Sequence, residues 1–150
     1  MILVEKVLFL KHVSLFSRMS VGDLGRVAEI AEEVVYTAYS NIFREGDYGD
    51  TLFIIVDGSV QITRRGELLA LLQARDYFGE MSILDGEPRS ASASASGDCL
   101  LLKISQEEFH DILSTHFDTA LAVIKTLSRN LRSHVIQYAH QTEREGGSNA

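Results

Sequence analysis

Three rhythms divide the 150-residue chain. Up to about residue 33, apolar positions recur at helical spacing: Leu8, Phe9, Val13, Leu15 and Phe16, then Leu24, Val27, Ala28, Ile30 and Ala31. Ser20 can cap a helix and Asp23 follows three positions later, so a helix is predicted to start there. From about Val34 to Ser105 the period shortens. Runs rich in β-branched and aromatic residues (Val34 to Tyr36, Asn41 to Phe43, Leu52 to Val56, Val60 to Thr63, Leu68 to Leu72, Leu100 to Ile104) are separated by Gly-bearing turns. That spacing predicts short strands in a barrel or double-sheet roll, with hairpin chemistry at Asp57-Gly58 and Arg65-Gly66. Helical spacing returns from Gln106 to about residue 142, and a polar tail, Glu143 to Ala150, is expected to fray. In the last helix Phe117, Leu121, Ile124, Ser128, Leu131, Val135 and Tyr138 step by four and three, a heptad-like seam interrupted by Ser128. The seam fits packing on the roll and fits equally a helix that pairs with a second copy.

Composition narrows this picture. The length suits one domain that buries a core without staples. With 21 acidic and 14 basic residues the net charge is −7, the wrong sign for binding nucleic acid by counterion release. A helix-turn-helix reader would need dozens of residues beyond the last helix. The single Cys99 precludes an internal disulfide and fits a reducing compartment. The apolar start Met1 to Val4 is interrupted by Glu5 and Lys6, so neither a signal peptide nor a membrane span is expected, and the chain is placed in the cytoplasm. His12, His110, His116, His134 and His140 are scattered, with no metal-ligand spacing. No catalytic constellation stands out, and no enzyme, metal or cofactor is expected.

The densest chemistry lies in Phe78 to Ala95, FGEMSILDGEPRSASASA. A tight turn leading into a helical turn directs unpaired backbone N–H groups at its ligand, which suits a phosphate. Arg89 offers a planar, permanently charged fork for two phosphate oxygens. Ionised Glu80, an acceptor only, suits ligand hydroxyls such as those of a ribose. Together they describe a phosphorylated sugar. The alternation from Ser90 to Ser96 could be a low-complexity linker, but it fits a strand passing close to a ligand.

This stretch resembles the phosphate-binding cassette of cyclic-nucleotide-binding domains, found in catabolite activator proteins, A-kinase regulatory subunits and cyclic-nucleotide-gated channels. Phe78, Gly79, Glu80, Met81, Ile83, Leu84, Pro88, Arg89, Ala91 and Ala95 fall in register with its pattern. Ala93 departs from it, standing where a Val is usual. The resemblance extends over most of residues 8–140. It implies an α+β fold: a β-roll, a double-stranded jelly-roll barrel, flanked by N-terminal and C-terminal helices, with the cassette at 78–95. It implies ligand contacts from Phe78, Gly79, Glu80, Met81, Arg89, Ser90 and Ala91. Asp50, in the Gly46-Asp47-Tyr48-Gly49-Asp50 loop, would hold Arg89 from behind, and Leu84 would carry the cassette's movement to the flanking helices. Arg132, Val135, Ile136 and Tyr138 of this helix, or of a partner's, would cover the base.

The function implied is an intracellular sensor that binds a cyclic nucleotide and re-packs its helices to signal to an output region or partner. Ser90 permits cGMP and does not exclude cAMP; cAMP is favoured. A homodimer through the last helix is an expected partnership. The rival is a fold of the same family that has lost its ligand and serves as an interaction or dimerisation module.

Overall fold

The computed structural model describes residues 1–148, with side chains described as far as Thr142. Two helices lead: α1 (Leu3–Leu10) and α2 (Val21–Ile30). Ser20 caps α2 as its sequence predicts, its Oγ accepting from the Asp23 N–H at 3.2 Å, a contact whose loss typically costs about 1 kcal/mol. Eight strands follow, β1 (Glu32–Tyr36), β2 (Asn41–Phe43), β3 (Thr51–Asp57), β4 (Val60–Arg64), β5 (Glu67–Leu72), β6 (Tyr77–Phe78), β7 (Ser92–Ala95) and β8 (Cys99–Ser105). A single short helix, α3 (Glu80–Asp85), interrupts them, and α4 (Gln106–Thr115) and α5 (Phe117–Ser148) close the chain. The Ser/Ala alternation is thus the strand β7. The expected polar tail continues α5 as far as Ser148; Asn149 and Ala150 lie outside the described residues.

The strands form two antiparallel four-stranded sheets, ordered β1-β8-β3-β6 and β2-β7-β4-β5. This is the β-roll flanked by helices. One turn signal held and one did not. Arg65 (φ 52°) and Gly66 (φ 81°) join β4 to β5 through Arg64↔Glu67, a two-residue hairpin with both central residues left-handed. Asp57-Gly58 makes no hairpin, because β3 and β4 belong to different sheets; the turn is the corner where the chain changes sheet. A turn signal records local chain reversal and does not specify which strands pair.

Strands β3 and β8 pair along Thr51↔Ser105 to Asp57↔Leu100 and are buried on both faces. With a side-chain period of two, Phe53, Ile55, Cys99 and Leu101 face the roll interior with Phe78, Ala93 and Ala95. Leu52, Ile54, Leu102 and Ile104 face the helices, packing with Leu10, Phe16, Leu24, Val27, Phe109, Ile112 and Val123. Double coverage explains the continuous apolar run Leu52 to Val56 in β3 and the run Leu100 to Leu102 in β8, which Lys103 ends. Ile83 of α3 is fully buried in the helix-side core, and its carbonyl accepts from Gln106 Nε2 at 3.3 Å and meets His110 Nε2 at 2.5 Å. The cassette helix is thereby tied to α4.

Candidate functional site

The cassette begins where β6 stops. Gly79 is the N-cap of α3 with φ 84°, a left-handed conformation that L side chains rarely adopt. A Cβ there would stand 2.7 Å from Arg89 Nη1 and 2.9 Å from the Thr51 carbonyl oxygen, so this position also requires bare backbone. After α3, the chain turns through Pro88 and delivers Arg89 into the body of the protein.

Arg89 is the most unusual side chain in the fold, being a cation only 6% exposed. Its Nη1 donates to the Gly79 carbonyl at 3.0 Å and its Nη2 to the Thr51 carbonyl at 2.8 Å. Its guanidinium carbon stands 4.1 Å from the centre of the Phe43 ring, a cation–π contact. Gly49 forms the seat: a Cβ there would lie 2.1 Å from Nε. The main chain fixes the base of the residue, Gly46 N–H donating to the Arg89 carbonyl and Arg89 N–H to the Asp47 carbonyl, both at 2.8 Å. Among the described residues Nε finds no hydrogen-bond partner. Of five N–H donors in the fork, two are used.

Asp50 does not grip this arginine. Among the described residues no ion pair involves Arg89, and exposed Asp50 takes the Thr51 hydroxyl at 3.0 Å instead. Its influence is through the field. Burial draws the guanidinium below its ordinary value, and the carboxylates of Asp50, Glu80 and Asp47, in that order, push it back. A buried cation without a bonded counter-ion is costly unless something supplies negative charge.

Beside it lies a cavity of about 210 Å³. Phe78, Gly79, Glu80, Met81, Arg89, Ser90 and Ala91, the seven residues predicted to touch ligand, all line it, with Ser82, Phe43, Ile62, Leu72 and Tyr77 completing the wall. Burial pushes the Glu80 carboxyl above its ordinary value, while its own backbone N–H and then Arg89 oppose the shift. The cavity therefore offers one cationic and one acidic group against an otherwise largely apolar wall.

Other expected residues lie elsewhere. Leu84 is 37% exposed and outside the cavity wall, since the buried face of α3 is formed by Ser82 and Ile83. Arg132, Val135, Ile136 and Tyr138 are exposed and do not reach the cavity. The packed face of α5 is Thr119, Val123 and Thr126; of the seam, Leu121 is half-buried while Phe117, Ile124, Ser128, Leu131, Val135 and Tyr138 are exposed, so most of it faces away from the body. Packing on the roll is thus not what the seam does. Phe43, Gly49, Thr51 and Tyr77 were not foreseen as site residues. Gly49 stood within a loop already singled out and Tyr77 directly before the motif, but nothing local announced Phe43. Among the described residues, no cluster of three or more His, Cys, Asp or Glu could hold a metal, and no helix is long and apolar enough to cross a membrane.

Comparison with known proteins agrees with this geometry. Residues 33–116 match the family described as cyclic nucleotide-binding domain. The cAMP-dependent protein kinase regulatory subunit of Aspergillus niger is 31% identical over 107 residues, 70% of this chain and 26% of that protein. The cGMP-dependent protein kinase 2 of Homo sapiens is 32% identical over 114 residues, 71% of this chain and 15% of that protein. The chain spans about a quarter or less of such relatives. Among solved structures, the regulatory domain of Toxoplasma gondii PKA with cAMP superposes at TM-score 0.74 and 26% identity, covering 87% of this chain and 50% of the other. The Catabolite Activator Protein of Thermus thermophilus gives 0.73 and 29%, covering 86% and 63%. With the family's pattern matched over more than half its length and its cassette wrapped around one cavity, the chain belongs to the cyclic nucleotide-binding domain family.

Proposed function

We propose that this protein is an intracellular sensor that binds a cyclic nucleotide, cAMP in preference to cGMP, and signals by re-packing its flanking helices. One observation carries the proposal: Arg89 is buried with no bonded carboxylate and lines the same cavity as Glu80. A cyclic phosphate supplies the missing anion and takes up donors of the fork that the protein leaves unused. Ionised Glu80 accepts from a ribose hydroxyl. Phe78, Gly79, Met81, Ser90 and Ala91 shape the enclosure, and the Ser90 hydroxyl serves either purine. Related proteins named for cAMP and for cGMP favour the same ligand class. No step of bond making is involved, and no cofactor.

A ligand shifts a conformational equilibrium only by its differential affinity for the two states. Here the phosphate draws Arg89 and the turn at Gly79 together, and α3 follows. Because the Ile83 carbonyl is bonded from α4, movement of α3 passes to α4 and then to α5. Coupling of this type is worth about 1–3 kcal/mol. Arg132, Val135, Ile136 and Tyr138 cover the base only after α5 re-packs, or from a second copy whose α5 pairs through the exposed seam.

Thermal unfolding with cAMP, cGMP and 5′-AMP tests the proposal. Ligand at a hundred times its dissociation constant adds about 2.7 kcal/mol of stability. The cyclic compounds should raise the melting temperature, cAMP most, and 5′-AMP should not. No shift with either cyclic nucleotide at millimolar concentration sinks the proposal.

A further inference from the structure

Tyr77 connects the cavity directly to α5. It lines the cavity with Glu80 and Arg89 and is half-buried. Its hydroxyl accepts a hydrogen bond from Nδ2 of Asn130 in α5 at 3.1 Å. Asn130 is also half-buried, and after it every side chain from Leu131 to Thr142 is exposed. Before it, α5 is fixed by Thr119, Val123 and Thr126, all buried.

The other side of the bond is equally placed. Tyr77 belongs to β6, a strand of two residues at the edge of its sheet, paired with β3 through Phe53↔Phe78 and Ile54↔Tyr77. Two residues later comes Gly79, the left-handed turn on which Arg89 rests. Any movement of that turn reaches Tyr77 along the chain, with no intervening element to absorb it. Burial raises the Tyr77 hydroxyl and the Glu80 carboxylate raises it further, while Asn130 and Ser14 oppose the shift. The acid that lines the cavity and the phenol that meets α5 therefore lie within each other's field.

We infer that the Tyr77–Asn130 hydrogen bond is the latch by which occupancy of the cavity is reported to the exposed part of α5. The inference rests on the cavity being the nucleotide site, and it names how that site is read out. Tyr77 acts as a positioning residue for α5. One hydrogen bond between neutral groups biases an equilibrium about two- to tenfold, enough for a modulating contact between two packings of a helix.

Backbone hydrogen exchange of residues 131–142 tests it in wild type, Tyr77→Phe, Asn130→Leu and the double variant. Without nucleotide, each single variant should raise exchange in this segment about two- to tenfold, and the double variant no further than either single, because both remove one bond. Additive effects, or no effect of either change, overturn the latch. With saturating cAMP the wild type should alter its exchange beyond Asn130, and Asn130→Leu should still bind cAMP yet lose that response. Tyr77→Phe, which keeps the ring, is the second variant should Asn130→Leu fail to fold. Binding with an undiminished response in either variant overturns the latch alone. Absence of cAMP and cGMP binding by the wild type overturns the nucleotide site and the reporting role together.

Discussion

The surroundings of Arg89 and the outer part of α5 are opposite solutions to holding a side chain. Around Arg89 every restraint is short and directional: two carbonyls, one ring face, the bare backbone of Gly49 and two main-chain bonds to the 46–47 turn. From Leu131 to Thr142 the side chains of α5 are exposed, Leu131, Val135, Ile136 and Tyr138 each more than half so. The first region is specified by backbone that cannot be replaced by side chains. The second is specified only by periodicity, which defines a face and leaves open what covers it. A buried charge tolerates little error, since leaving it unsatisfied costs several kcal/mol, whereas an exposed apolar face tolerates much.

The contrast can be broken first at its strongest point. Gly49→Ala places a Cβ where Nε now lies and should expel the guanidinium, weakening cAMP binding at least about a hundredfold, or ~3 kcal/mol. Calorimetry showing near-normal affinity would mean that the seat is not needed. Arg89→Lys keeps the charge and loses the fork. It should cost about 1.5–3 kcal/mol of binding, roughly ten- to a hundredfold in titration calorimetry; unchanged affinity removes Arg89 from the site. Phe43→Leu takes away the ring beneath the cation and should cost about 0.5–2 kcal/mol, with Phe43→Tyr restoring most of it.

Glu80 gives a pH signature. Its carboxyl is raised by burial, so its favourable contribution to folding is complete below the ordinary carboxylate range and is lost as pH rises through the raised value. Denaturant titrations from about pH 4 to about pH 8 should show wild-type stability declining relative to Glu80→Gln across that window. A difference that stays constant with pH would place Glu80 in solvent. The smallest effect belongs to α5: Val135→Ser should change the stability of the single chain by less than about 0.5 kcal/mol. A loss well above that in urea unfolding would show that the face is covered.

The strands were legible because alternation and β-branched runs record burial directly, and burial on both faces shows as the apolar runs Leu52 to Val56 in β3 and Leu100 to Leu102 in β8. The cassette was legible because its residues are contiguous, so a local pattern contains the local geometry. What escaped was long-range. Thr51 and Arg89 are 38 residues apart in sequence and meet through a carbonyl that any residue would have supplied. Phe43 reads as an ordinary strand aromatic until Arg89 lies over it. Asp50 was expected as the partner from the resemblance of its loop to the family's, yet the contact falls to its glycine neighbour, which offers space in place of charge. On α5 the period was legible but left the orientation open; the buried residues are Thr119, Val123 and Thr126 rather than the more apolar seam. Strand β6, two residues long, is too short to show any period.

The exposed run of α5 that follows Asn130 has a mechanical consequence. At 1.5 Å per residue, the stretch of α5 from there to Ser148 is a stiff arm of about 27 Å. Pivoting it by ~10° at the Tyr77 contact would swing the tip by about 5 Å, roughly one turn of helix. A displacement too small to disturb the roll is thereby magnified before it reaches whatever the arm touches.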